Sequence, residues 1–351
     1  MKQVIRRIAV VLFAAILLVP VRVCGMPVCS AKSAILMDGT SGRILWEKNA
    51  DEASLIASTT KIMTALLIAE QCDPAAEVCI PKQVVGVEGS SMYLRENELL
   101  TVEDLLYGMM LHSGNDAAAA LAIYHSGSVE MFAEAMNRKA KQLGLEHTVF
   151  ANPHGLDDAS NRSTARDLAE LARYAMNNAQ FHRIVSTKTF SAGDRVLTNH
   201  NKLLWRYDGA VGVKTGYTKA AGRILVSCAE RNGRRLIAVT IHDRNDWVDH
   251  TNLLDHGFSG FAPQTVVKAG SVCGTVCVMS GGEETAEAVT DRNVILPLRE
   301  HECVSLVPSL PMFVFAPVLA GEPAGTLSVR IDGTEVMKLP LYWRYSVLEE
   351  P

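Results

Sequence analysis

The sequence predicts an α/β (α+β) domain, in which helices flank an antiparallel sheet, followed by a small all-β, sandwich-like domain. Strand-like runs stand at both ends of a helical middle region, so one sheet must be assembled from chain-distant pieces. Beyond about position 263 the helical periodicity disappears, and Val-, Gly- and Pro-rich segments alternate with turn residues. A chain of 351 residues, 48% of them apolar, is long enough for two such domains.

The N-terminus has the features of an export signal. A start with one lysine and two arginines precedes the uncharged apolar run Ile8–Val21. That run is shorter than the roughly 20 residues of a membrane span but suits a signal peptide. Cleavage after Ala31 or after Gly25 would follow small residues, whereas Cys24 is preceded by a poor lipoprotein signal. We therefore expect export, with membrane association only if the signal is retained.

The predicted organisation has three parts. A signal peptide occupies 1–31, the α/β domain occupies 32–262, and the C-terminal β-domain occupies 263–351. The boundary near 263 lies where a closing helix, WVDHTNLLDHGF, gives way to short strand-like segments.

The elements of the first domain begin with a hairpin, SAILMD and RILWEK, around the turn Gly39–Gly42. A helix follows near Ser58, since Ser58–Thr60 offers cap residues before an apolar stripe. Thr101 and Asp104 have the spacing of a capping box at the start of the next helix. That helix breaks at HSGN and resumes as DAAAALAIYH.

Two further helices precede the last strands. Met131–Leu143 ends at Gly144, and STARDLAELARYAMNN opens with Ser163 or Thr164 as its cap and Asp167 after it. GVKTGYT is a short strand. RILVSCAE and RLIAVTIH flank an Asn-Gly pair, which is a strong hairpin signal.

Charge and cysteine content exclude several classes of protein. A formal net charge of −4, with scattered basic residues, gives no footprint for nucleic acid. Eight cysteines are too few for a disulfide scaffold of this length; Cys72 and Cys79 could form a bridge or remain free. A nominal zinc set consists of Cys273, Cys277, His301 and Cys303. Because the first two lie on a predicted strand with packing spacing, we assign no metal ligands.

Three short motifs, each found once, carry the chemistry: Ser58-Thr59-Thr60-Lys61, Ser113-Gly114-Asn115 and Lys214-Thr215-Gly216. A serine hydroxyl is a poor nucleophile until a base takes its proton. Ser58 and Lys61 project from one helix face, so the amine can reach the hydroxyl. As a base, Lys61 must be neutral, which burial and the charge of Lys214 favour. The helix N-terminus favours a developing oxyanion.

The other two motifs supply the remaining groups. Ser113 can relay a proton to the leaving amine, while Asn115 can hold a substrate amide. Lys214 and Thr215 offer donors to a substrate carboxylate. The strand edge after Gly216 can pair with an extended peptide, because glycine keeps that edge free of a side chain.

With these motifs the chain resembles the low-molecular-mass penicillin-binding proteins, which are serine-type D-alanyl-D-alanine carboxypeptidases. The resemblance covers nearly the whole chain, including SAILMDGTSGRILWEKNADE, IASTTKIMTALL, LTVEDLLYGMMLHSGNDAAAALA and VGVKTGYTKAAGRILVS. The segment IAVTIHDRNDWVDHTNLLDHGF is similar to a branch that includes spore-cortex carboxypeptidases. The fold that the resemblance implies is a serine β-lactamase/transpeptidase-like domain followed by the β-domain.

The resemblance also implies roles for individual residues. Ser58 would be the acylated nucleophile, and its N–H with that of Tyr217 would form the oxyanion hole. Several relatives have histidine at the position of Tyr217. Arg244 is a candidate contact for the terminal carboxylate, and His200 is a second-tier residue near the site.

The implied function is removal of the terminal D-alanine from peptidoglycan stem pentapeptides, with β-lactams as covalent inhibitors and no metal or organic cofactor. Three alternatives remain: a DD-endopeptidase on cross-linked peptidoglycan, a class A-like β-lactamase, and a non-turnover penicillin-binding sensor or scaffold. SGN in place of SDN, the lack of a Glu-x-x-Leu-Asn segment and the extra domain count against the β-lactamase. The intact trio of motifs counts against the scaffold.

Overall fold

The computed structural model describes residues 26–350. The predicted signal peptide therefore lies outside the described residues, except for positions 26–31. Among the residues described, no helix is both long and apolar enough to cross a bilayer.

A five-stranded antiparallel sheet forms the centre of the first domain, in the order β2-β1-β11-β10-β9. The strands of this domain are β1 (Ser33–Asp38), β2 (Ile44–Lys48), β3 (Ser54–Leu55), β4 (Glu77–Cys79), β5 (Leu99–Thr101), β6 (Arg162–Ser163), β7 (Thr189–Ala192), β8 (Arg195–Thr198), β9 (Ala210–Thr218), β10 (Gly222–Arg231) and β11 (Arg234–Ile241). The sheet joins strands from both ends of the domain, as predicted. The β9 strand, which carries Lys214-Thr215-Gly216, lies at one edge.

Helices cover both faces of this sheet. They are α1 (Lys61–Gln71), α2 (Val102–Leu111), α3 (Asn115–Ser126), α4 (Val129–Gln142), α5 (Ala165–Ala175), α6 (Ala179–Ser186), α7 (Leu203–Arg206) and α8 (Asp246–Gly260). Side chains alternate across the strands, so Val226 faces the large core with Leu66 of α1, whereas Leu225 packs with Leu253 and Leu254 of α8.

Several element boundaries differ from the sequence prediction. The α-helix expected from Ser58 begins at Lys61, because Ala57–Thr60 forms a 3-10 turn without a side-chain cap. The capping box of Thr101 with Asp104 is confirmed. The α6 helix and the β7–β8 hairpin are elements that the sequence analysis did not identify.

The segment before β1 is attached to α8. Ser30 donates from its N–H and its hydroxyl to Asp249 Oδ2, at 2.6 and 2.7 Å. The same hydroxyl lies 3.1 Å from Asp243 Oδ1. Ala31 is fully buried. Positions 30 and 31 are therefore part of the packed domain.

The C-terminal region is all-β. Its strands are β12 (Ala262–Val267), β13 (Val272–Met279), β14 (Thr285–Val289), β15 (Val294–Leu298), β16 (Val304–Ser309), β17 (Phe313–Phe315), β18 (Pro323–Ile331) and β19 (Thr334–Trp343). A six-stranded sheet, β16-β18-β19-β14-β13-β17, and the pair β12-β15 share one core, in which Leu327 and Leu341 pack with Leu296. The predicted small all-β domain is confirmed. The ion pair of Arg43 with Glu302, at 2.6 Å, joins it to the first domain.

Candidate active site

The hydroxyl of Ser58 stands on the 3-10 turn that precedes α1. The turn is entered through Ala57, whose φ is +46°. Gly155, with a φ of +85°, packs directly on the carbonyl group of Ala57, and a Cβ atom at position 155 would overlap that group. A glycine here is needed for both its backbone conformation and this close approach. The loop around Gly155 therefore supports the turn that carries the serine.

Lys61 lies directly behind Ser58 and is fully buried. Its Nζ is 3.0 Å from Ser58 Oγ, 2.7 Å from Asn115 Oδ1 and 2.6 Å from the carbonyl oxygen of His154. Burial lowers the pKa of Lys61 well below its usual value, and the positive charge of Lys214 lowers it further, against an opposing effect of Asp116. The environment thus favours a neutral amine.

The three neighbours of Lys61 fix how a neutral amine is oriented. A neutral amine has two hydrogens and one lone pair. The oxygens of Asn115 and His154 can only accept, so they take the two hydrogens. The lone pair is then left facing Ser58 Oγ, which can donate its proton to it. The arrangement is that of a base hydrogen-bonded to its nucleophile.

Asn115 is itself held in one orientation. Its Nδ2 donates to the carbonyl oxygen of Glu88 at 2.6 Å, which turns Oδ1 toward Lys61. Its N–H donates to Ser90 O at 2.7 Å. The segment from Glu88 therefore forms one side of the site, and no side-chain motif in the sequence indicated it.

Asp116 fixes the same segment from the start of α3. Its carboxylate is buried and accepts from Ser91 Oγ at 2.6 Å, Met92 N at 2.9 Å and Leu94 N at 3.1 Å. No motif in the sequence indicated this role of Asp116. These hydrogen bonds hold in place the segment that contacts the neighbouring Asn115.

Ser113 and Lys214 form a second serine–lysine pair. Ser113 occupies the break between α2 and α3 with a φ of +63°. Lys214 Nζ donates to Ser113 Oγ at 3.1 Å and to the carbonyl oxygen of Thr215 at 2.9 Å. Burial lowers the pKa of Lys214 to about 7. A proton can therefore be held or released by this pair near neutral pH.

The β9 strand passes close to the nucleophile. A Cβ atom at Gly216 would lie 3.2 Å from Ile56 O and 3.3 Å from Ser58 N. Since β9 has a neighbour only on the β10 side, part of its backbone is free to meet a ligand. The N–H groups of Ser58 and of Tyr217 thus belong to two segments in close contact.

A cavity of about 350 Å³ opens in front of these groups. Its lining comprises Ser58, Ser90, Ser113, His200, Lys202, Thr215, Gly216, Tyr217, Arg223, Ile224, Asp246 and Trp247. Lys61, Asn115 and Lys214 are buried. Burial and the charges of Lys214 and His112 lower the pKa of His200, so its imidazole is neutral at pH 7.

One predicted residue lies elsewhere. Arg244 follows the end of β11, is exposed, and is absent from the cavity lining. The arginine that does line the cavity is Arg223, at the start of β10 and directly opposite Tyr217 in the sheet. Arg223 could not be identified from the sequence, because its position depends on the pairing of β9 with β10.

A serine hydroxyl 3.0 Å from the amine of a buried lysine, beside an open strand edge, is the arrangement of an active-site-serine enzyme of acyl transfer.

Comparison with known proteins narrows this class. Residues 22–245 match the family model "D-alanyl-D-alanine carboxypeptidase", and residues 261–348 match "Penicillin-binding protein 5, C-terminal domain". The D-alanyl-D-alanine carboxypeptidase DacF of Bacillus subtilis is 33% identical over 89% of this chain and 84% of its own length. DacC of Escherichia coli is also 33% identical, over 90% of this chain and 84% of its own length.

Solved structures of penicillin-binding proteins are similar to the whole fold of this chain. Penicillin-binding protein 5 from Haemophilus influenzae superposes with a TM-score of 0.83 at 30% identity, over 92% of this chain and 99% of that one. The chain belongs to the D-alanyl-D-alanine carboxypeptidase family and is a serine-type hydrolase of the low-molecular-mass penicillin-binding class. The expected family and fold class are confirmed.

Proposed function

We propose that this protein is an exported carboxypeptidase that removes the terminal D-alanine from peptidoglycan stem pentapeptides through an acyl-enzyme on Ser58. The observation that carries the proposal is the position of Lys61 Nζ, which is 3.0 Å from Ser58 Oγ and within hydrogen-bonding distance of two oxygens that can only accept. Membership of the family, in which relatives are named for this activity, supports the choice of substrate.

The first half of the reaction forms the acyl-enzyme. Lys61 takes the proton of Ser58 Oγ as that oxygen attacks the carbonyl carbon between the two terminal D-alanines. The N–H groups of Ser58 and Tyr217 stabilise the oxyanion. The C–N bond then breaks, and the leaving nitrogen receives a proton from Ser113 Oγ, which Lys214 reprotonates. Free D-alanine departs.

The second half releases the shortened peptide. The proton that Lys61 took from Ser58 first passes through solvent to Lys214, which gave one up, so that Lys61 is neutral again. A water molecule then gives a proton to Lys61 and attacks the ester carbonyl carbon. Collapse of this second oxyanion breaks the bond to Ser58 Oγ, which recovers its proton. A β-lactam follows the first half only, because its leaving nitrogen stays tethered to the acyl group and obstructs water. Long-lived acylation of Ser58 is therefore expected.

The β9 edge, the signal segment and the two domains have roles in substrate binding, export and catalysis in this proposal. The extended stem peptide would pair with the free edge of β9, where Gly216 leaves room. A signal at 1–31 would direct export, the domain at 32–262 would perform catalysis, and the β-domain at 263–351 would follow it outside the cytoplasm. Membrane association would require retention of the signal.

The test compares the chain from residue 26 onward with a Ser58→Ala variant. Both are incubated with diacetyl-Lys-D-Ala-D-Ala, and released D-alanine is quantified. Release by the intact protein, together with loss of at least about 10³-fold in the variant, is expected for removal of a catalytic nucleophile. Mass spectrometry after penicillin treatment should show one adduct, on Ser58. Activity that survives in Ser58→Ala would overturn the proposal, and fast penicillin turnover would favour a β-lactamase.

A further inference from the structure

A guanidinium group in the active-site cavity has no part in the chemistry described so far. Arg223 Nε donates to Asp246 Oδ2 at 3.0 Å, and Nη2 donates to Oδ1 at 2.9 Å and Oδ2 at 2.7 Å. Its carbon Cζ lies 5.8 Å from the ring centre of Trp247. These contacts engage Nε and Nη2 but not Nη1. The side chain is therefore held in a fixed place with one edge available to a ligand.

The burial of the pair decides which charge a ligand meets. The Arg223 side chain is 44% exposed, whereas that of Asp246 is 4% exposed. The carboxylate is thus covered, and the guanidinium forms the accessible surface. Asp246 is the one acidic residue in the described lining of the cavity. This end of the cavity therefore presents the edge of the guanidinium group, and not the carboxylate, to a ligand.

The pairing of β9 with β10 places the side chain of Arg223 on the same face of the sheet as that of Thr215. Arg223 pairs directly with Tyr217, and Leu225 pairs with Thr215. Paired residues, and residues two apart, share one face of a sheet, so the side chains of Arg223 and Thr215 lie on the same face. A long side chain can reach its diagonal neighbour, at roughly 7–8 Å between backbones. Arg223 and Thr215 can therefore contact one ligand group.

We propose that Arg223 binds the terminal carboxylate of the substrate and that Asp246 is its positioning residue. The inference rests on the proposed function, in which the substrate ends in a D-Ala-D-Ala carboxylate, and on the expectation that Thr215 donates to that carboxylate. That carboxylate is the anionic group nearest the scissile bond, separated from the leaving nitrogen by one carbon atom. Arg244 is exposed and lies outside the lining of the cavity, so we assign it no contact with this carboxylate.

The experiment varies the charge of the residue and of the ligand together. One substrate is diacetyl-Lys-D-Ala-D-Ala, and the other is the same peptide with a C-terminal carboxamide. The variants are Arg223→Gln, Arg223→Lys, Asp246→Asn and Arg244→Gln. Arg138→Gln is the matched control, since Arg138 is exposed on α4 and pairs only loosely, at 3.8 Å, with Glu134. Melting temperatures establish that each variant is folded.

Arg223→Gln should lower kcat/KM for the acid substrate by about 10- to 100-fold, as expected for loss of a charge-assisted hydrogen bond. It should change the carboxamide substrate less than about 3-fold. Arg223→Lys and Asp246→Asn should fall between wild type and Arg223→Gln on the acid substrate. Equal losses on the two substrates, or a selective loss in Arg244→Gln instead, would overturn the inference.

A second readout separates this inference from the proposed function. If the wild type releases no D-alanine, the proposed function fails, but acylation of Ser58 can still be followed by mass spectrometry. Benzylpenicillin carries a carboxylate and its methyl ester does not. Arg223→Gln should slow acylation by the acid about 10-fold or more and acylation by the ester little. Identical slowing by both compounds would refute the role of Arg223.

Discussion

Gly216→Ala tests whether the close approach of β9 to the nucleophile matters for catalysis. The added methyl carbon would lie 3.2 Å from Ile56 O, 3.3 Å from Ser58 N and 3.3 Å from Thr59 Cγ2. Ordinary carbon contacts begin at about 3.5 Å, so the strand and the 3-10 turn must separate by a few tenths of an ångström. The φ of Gly216 is not in the left-handed region, so the backbone itself accepts alanine.

The expected effect falls on rate more than on stability. The two proposed oxyanion donors, the N–H groups of Ser58 and Tyr217, lie on the two segments that must move apart. Loss of one such donor costs roughly 10²–10³ in rate, and partial widening should cost about 10- to 100-fold. The melting temperature should fall only by a few degrees, since no cavity or unpaired group is created.

The assay is the second-order rate constant for acylation by benzylpenicillin, measured beside D-alanine release. Gly282→Ala is the control, because a Cβ atom there would meet nothing closer than Leu348 O at 3.9 Å. A folded Gly216→Ala protein that acylates at the wild-type rate would refute the assignment of the oxyanion hole to these two segments.

Two further predictions concern buried charge. Burial sets the pKa of Lys214 at about 7 instead of 10.5, so between those values the folded chain binds fewer protons than the unfolded chain. Lys214 therefore makes the free energy of unfolding rise with pH across this window, by up to about 1.4 kcal/mol per pH unit. Lys214→Met should flatten this slope and stabilise the protein at pH 6, because no buried charge remains. The same substitution should abolish acylation. Urea unfolding at several pH values measures this, and an unchanged slope would contradict it. Asp116→Ala would leave the N–H groups of Met92 and Leu94 without their acceptor, so the free energy of unfolding should fall by about 2–4 kcal/mol. A loss below about 1 kcal/mol would show that water replaces the carboxylate.

Local spacing in the sequence was enough to predict some of these contacts. Ser58 and Lys61 are three positions apart in the sequence, and their polar atoms lie 3.0 Å apart in the structure. The hairpin of β10 and β11 was predicted from an Asn-Gly turn for the same local reason. The α1 helix nevertheless starts at Lys61, because tertiary contacts of Ala57 impose a 3-10 turn that propensity does not encode.

Groups that act through the backbone left no trace in the sequence. The carbonyl oxygen of His154 contacts Lys61 across 93 positions of the chain, and any residue type could provide it. No sequence pattern indicated Gly155, since its contact with Ala57 depends on the folded loop. Arg223 and Arg244 are both near the last long strands, and only strand register shows which of them reaches the cavity.

The attachment of Ser30 to α8 has a consequence for maturation of the protein. A mature chain beginning at Met26 would keep the donors that Ser30 supplies to Asp249 and Asp243. One beginning at Lys32 would leave two buried carboxylates short of a donor, that of Asp243 just before α8 and that of Asp249 in its first turn. Whether a chain begins before or after Ser30 would therefore bear on how firmly α8 is held against the sheet.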